Sequence, residues 1–99
     1  MYQPPANKMP ETKDIHVVTA VLTLQSVTEL LRLSFDSLAN GVTVFDFSAV
    51  RELDSAALAF ILASRREAER LGIQLQCLNL PDNLKNLAAL YGVDNYLPI

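Results

Sequence analysis

The run Val44-Phe45-Asp46-Phe47-Ser48-Ala49-Val50-Arg51-Glu52-Leu53-Asp54-Ser55-Ala56-Ala57-Leu58-Ala59 changes periodicity partway along, and the rest of the chain is read outward from it. Its first part continues Val42-Thr43, a β-branched and aromatic stretch bounded by Gly41 and Ser48, which predicts a strand. Ser48 to Leu53 is a short irregular piece. Asp54-Ser55 follows, and either side chain is suited to cap a helix. That helix is expected to run to about Leu71 and to stop at Gly72.

On the N-terminal side, Ile15 to Leu24 is rich in β-branched residues and predicts one bent strand or two short ones. Ser26-Val27-Thr28-Glu29 has the spacing of a capping box. Val27, Leu30, Leu31, Ser34, Phe35 and Leu38 follow at helical intervals until Asn40-Gly41. On the C-terminal side, Ile73 to Leu78 alternates as a strand does. Pro81-Asp82 then opens a last helix carrying Leu84, Leu87, Ala88 and Tyr91 and ended by Gly92. Single helices between strands require right-handed crossovers. The expected fold is therefore α/β: a mixed, largely parallel sheet of four to five strands with three helices packed on it. Residues 1–13 hold three of the five prolines and read as a flexible leader, leaving 14–99 as one domain.

The middle helix has an uneven surface. With Ala57 facing the sheet, Ile61, Ser64, Ala68 and Leu71 fall within about 40° of it and form a core stripe. Arg66, Glu69 and Arg70 point away. In the first two turns, however, Ala56, Leu58, Ala59, Leu62 and Ala63 are apolar although they lie off that stripe. Either flanking helices cover them, or they form an exposed patch for another protein. The second reading makes Leu58 and Leu62 its main contacts. At the same helix start, Ser55 is either a plain cap or an outward hydroxyl able to meet a partner or carry a phosphate.

Composition excludes several classes. The 99 residues are 51% hydrophobic and 19% charged, which favours a globule over a disordered chain. A net charge of −3 without any basic run argues against nucleic-acid binding. One cysteine, Cys77, forbids an internal disulfide, and with the lone His16 it gives no familiar zinc spacing. The most apolar window, Ser55 to Ser64, is far shorter than the roughly 20 residues that span a bilayer. The glycines are scattered as element stops and make no phosphate cradle. His16 and Cys77 read as structural, and Asp46 is placed to cap or position the loop that follows it. No base can be nominated beside Ser55, so no catalytic machinery, metal, cofactor or small-molecule ligand is expected. A cytoplasmic setting is the default.

The run Val44 to Ala59 resembles the central signature of STAS domains, in which a hydrophobic strand ends in an aspartate–hydrophobe–serine step before an Asp-Ser/Thr dipeptide opens a helix. The resemblance extends from Ile15 to Leu97, making 14–99 a STAS-like domain. Two branches compete. In anti-sigma factor antagonists the hydroxyl after the aspartate, here Ser55, is phosphorylated by a partner kinase. In the MlaB branch, the STAS subunit of the Mla phospholipid-transport ABC system, the matching hydroxyl lies at the contact with the ATPase subunit. The tail Leu87-Ala88-Ala89-Leu90-Tyr91-Gly92-Val93 is similar to that branch. The phosphoswitch branch usually carries glycine two residues after its hydroxyl, where this chain has Ala57, and the added methyl is expected to crowd a kinase. The resemblance therefore implies a non-enzymatic accessory subunit. It would dock Arg51, Glu52, Asp54, Ser55, Ala56, Leu58, Ala59 and Leu62 on an ABC ATPase at the cytoplasmic face of the inner membrane.

Overall fold

β-branched and aromatic residues lie where the chain pairs, and glycines where it turns. The computed structural model describes residues 15–99, so the leader expected over 1–13 lies outside the described residues. In chain order the elements are β1 (Ile15–Val17), β2 (Val21–Leu22), α1 (Val27–Ala39), β3 (Val44–Asp46), β4 (Glu52–Leu53), α2 (Ala56–Arg70), β5 (Gln76–Leu78) and α3 (Asp82–Leu90). A 3-10 turn, Asp94–Tyr96, follows. The strands pair in parallel as a three-stranded sheet, β1-β3-β5, and a two-stranded one, β2-β4. This is the α/β, largely parallel architecture that the sequence predicts, with three helices.

The first β-rich stretch resolves into two short strands because the chain changes partner after Val17. Val18 N–H still donates to the Asp46 carbonyl at 2.9 Å, whereas the Ala20 carbonyl accepts from both Arg51 and Glu52. That handover creates β4 inside the piece read as irregular. Two residues are too few to produce a period in sequence. At the other edge, β5 begins only at Gln76, because Ile73 N–H closes the end of α2 on the Ala68 carbonyl at 2.8 Å. Gly72 adopts φ +74° at this junction, a left-handed conformation that suits glycine.

The core sits between sheet and helices. Phe45 pairs in register with His16 on one side and Cys77 on the other, and its ring lies 6.3 Å from that of Phe60. Phe47 meets Phe60 edge-on at 6.2 Å, a favourable aromatic geometry. The helix α2 packs against both α1 and α3, most extensively against α1. At the α1–α2 crossing the buried Ser34 hydroxyl donates to the Leu31 carbonyl at 3.0 Å and lies 3.4 Å from the Ser64 hydroxyl. Two small side chains let the helices approach, and no buried polar side-chain atom among the described residues lacks a partner.

Three sequence expectations fail at the level of side chains. Ser26 does not form a capping box: its hydroxyl accepts from Thr23 N–H and donates to the Val21 carbonyl, while Glu29 is taken by Arg32 at 2.6 Å. Leu71, assigned to the core stripe of the middle helix, is exposed. Leu58, assigned to an exposed shoulder, is 5% exposed and belongs to the core cluster. The cause is the width of the buried arc. Ala57, Leu58, Phe60, Ile61, Ser64 and Ala68 are all buried, an arc of about 160° at 100° per residue. A helix flanked on both sides buries more than the face it turns to the sheet.

Candidate functional site

The N-terminal end of α2 stands beside the two-stranded sheet, and Asp54 holds the two together. One carboxylate oxygen accepts from Ala56 N–H at 2.8 Å, satisfying a donor that the helix leaves open. The other accepts from Leu24 N–H at 3.1 Å, thirty residues earlier in the chain. Asp54 is therefore the capping side chain, and it also ties the loop after β2 to the start of α2.

This division of labour frees Ser55. Its backbone is helical, with φ −62° and ψ −18°, and its side chain makes no capping hydrogen bond. The residue is exposed. Of the two readings of the Asp54-Ser55 step, the structure gives the cap to the aspartate and leaves the hydroxyl facing water. Arg51 and Glu52 flank it with exposed side chains and backbones pinned to Ala20. Ala56 is half-buried and Ala59 exposed. Leu62 is half-buried on the wall of a groove further along α2. Leu58 faces the interior and takes no part in this surface.

Sequence reasoning missed the most exposed apolar group here. Leu24 is 72% exposed, with its backbone held by Asp54, and Val21 on β2 is 42% exposed. The pattern gave no clue, since Leu24 reads as the last residue of the β-branched stretch, whose second strand in fact ends at Leu22. The surface therefore combines an unengaged hydroxyl, an exposed leucine, the methyl of Ala59 and the charged Arg51 and Glu52.

A second polar cluster fixes the preceding loop. The Asp46 carboxylate accepts from Ser48 N–H at 2.9 Å and from the Asn79 side-chain amide at 3.0 Å. These two bonds, the Asn79 one foremost, hold its carboxyl below the usual carboxylate range. Asn79 has φ +59°, a left-handed conformation that asparagine tolerates better than most residues. Sequence gave no sign of this contact.

The remaining chemical side chains are occupied elsewhere. His16 Nδ1 lies 2.9 Å from the Ser37 hydroxyl, with the ring 5.1 Å from Phe45. Burial pushes its pKa down, so the neutral imidazole is favoured. Its hydrogen-bond partner is thus on α1, not at Ser55. Cys77 is buried, and desolvation pushes its thiol up to about 12, which removes the thiolate that reactivity needs. Among the described residues no group of three histidine, cysteine or carboxylate side chains is placed to hold a metal, and no helix is long and apolar enough to cross a membrane.

The parallel α/β domain with an Asp-Ser step at the start of its central helix is consistent with the STAS class of fold. Within it, the family model described as Mlab, STAS domain matches residues 10–99. The chain belongs to this MlaB-type STAS family, whose domains are accessory and regulatory modules. A search of curated proteins gave no match.

Proposed function

We propose that this protein is a non-enzymatic accessory subunit that binds, and regulates or stabilises, the ATPase subunit of an inner-membrane phospholipid-transport ABC complex of the Mla type. The observation that carries the reading is the freed Ser55 hydroxyl beside exposed Leu24, both held in place by Asp54. A hydroxyl that is not needed for capping is available to a partner, and a fixed exposed leucine supplies apolar contact area at little cost in ordering. Arg51, Glu52, Asp54, Ala56 and Ala59 complete the docking face; Leu62 extends it along α2. The chain would sit on the cytoplasmic face of the membrane through that partner. Its effect would be conformational: it favours whichever state of the ATPase it binds more tightly, by no more than the difference in affinity.

Ser55→Ala tests the reading. Loss of the hydroxyl leaves the partner's group unpaired at the contact, so affinity for the ATPase should fall about tenfold, equivalent to about 1–1.5 kcal/mol. The melting temperature should not change, because Ser55 caps nothing. Wild-type affinity in the variant would remove the hydroxyl from the contact.

A second reading draws on the same exposed hydroxyl: an anti-sigma factor antagonist switched by phosphorylation of Ser55. The argument against it from Ala57 fails, because that residue is fully buried and its methyl does not crowd the approach to Ser55. The family match favours the transport reading. Incubation with a cognate serine kinase and mass spectrometry separates the two. A phosphate on Ser55 that releases a partner would favour the switch; an unmodified chain supports the fixed subunit.

A further inference from the structure

The outward side of α2 does not end at Ser55. Ser55, Ala59, Leu62 and Ala63 lie within about 60° of the direction of Arg66 at 100° per residue, and none of them belongs to the helix's buried set. Toward the C-terminal half of this face, a groove of about 270 Å³ opens between α2 and the 3-10 turn, lined by Leu62, Arg65, Arg66, Glu69 and Tyr96. Its apolar walls are Leu62 and the Tyr96 ring. That ring is 53% exposed, yet it is held in place by the Arg65 guanidinium 5.6 Å from its centroid. Arg65 is fixed in turn by Glu69 at 3.1 Å.

Charge says what the groove receives. Arg32 pairs with Glu29, Arg65 with Glu69 and Arg70 with Glu67. Arg66, like Arg51 and Lys85, is exposed and forms no ion pair among the described residues, and of these three it alone lines the groove. Arg65 and Glu69 neutralise each other in the groove, so the charge left at its mouth is that of Arg66. It attracts a carboxylate and steers one class of partner toward this spot. Tyrosine and arginine are also enriched among the side chains that dominate binding energy at protein contacts.

We propose that this groove seats a segment of the ATPase subunit in which an aliphatic side chain enters between Leu62 and Tyr96 while a carboxylate one helical turn away pairs with Arg66. The inference rests on the proposed function and adds a second anchor to it. Ser55 and Arg66 are eleven residues apart, so the two anchors stand about 16 Å apart along the helix at 1.5 Å per residue. A single partner helix spans that distance.

The test uses the full chain and the purified ATPase subunit, with binding measured by titration at two salt concentrations. Arg66→Glu and Tyr96→Ala should each weaken binding at least tenfold. Arg66→Lys should retain most of the affinity, and Arg66→Gln should flatten its salt dependence. Arg70→Glu, whose parent residue is already paired, should change little. Melting curves and circular dichroism confirm that the variants are folded. If the wild type binds and both Arg66→Glu and Tyr96→Ala bind equally well, the groove is overturned while the proposed function stands. If the wild type does not bind the ATPase, the functional reading itself falls. If Arg66→Glu instead converts a dimer to a monomer in sedimentation, with ATPase binding intact, the occupant is a second copy and the proposal is wrong.

Discussion

Asp54 is the residue on which the site turns, because its two oxygens serve two elements. Asp54→Ala removes the cap and the tether to Leu24 together. Loss of a capping side chain costs about 0.5–2 kcal/mol. Asp54→Asn retains one acceptor and should cost less, a difference that chemical denaturation can read. Should Asp54→Ala melt with the wild type, the capping assignment is wrong. His16 gives a second prediction at this scale. Its pKa is lowered in the fold by burial, so the native state binds fewer protons than the unfolded chain just below the ordinary value of 6.5. Stability should therefore hold above pH 6.5 and decline as pH falls below it, and His16→Phe should remove that part of the decline. A variant with the wild-type pH profile would place the titration elsewhere.

At the scale of elements, α2 shows what one sequence can and cannot reveal. The stripe Ala57, Ile61, Ser64 and Ala68 was legible because a helix on a sheet turns one face to it, and all four are buried. Leu58 stayed open between a covered and an exposed reading, because what packs on that flank depends on long-range placement that no local pattern encodes. Leu58→Ala should accordingly cost about 2–5 kcal/mol as a core cavity. Leu58→Asp should unfold the domain and not merely undock it, as circular dichroism of the isolated chain will show. A well-folded Leu58→Asp would return this leucine to the surface. The element order, the Asp54-Ser55 helix start and the glycine stops were all readable from local chemistry. The two-residue strand β4, the exposure of Leu24 and the Asn79–Asp46 bond were not, since each depends on where the chain returns from far away in sequence.

For the whole molecule, the division into β1-β3-β5 and β2-β4 has a functional consequence. The small sheet carries Val21 and Glu52 to the rim where α2 begins, so the candidate surface is built from both halves of the chain. The tail closes the opposite edge: Cys77 N–H donates to the Pro98 carbonyl at 2.7 Å, and Leu97 joins the core. The Asp46 and Asp54 carboxylates both hold loops in place. The most direct test of that account is the affinity of the ATPase subunit for Leu24→Asp. This substitution places a charge on an exposed side chain and leaves the Asp54 bond to the Leu24 backbone available. If Leu24 is a docking contact, the melting temperature stays unchanged and binding weakens at least tenfold, the equivalent of about 1.4 kcal/mol. Wild-type affinity from a folded Leu24→Asp would contradict it.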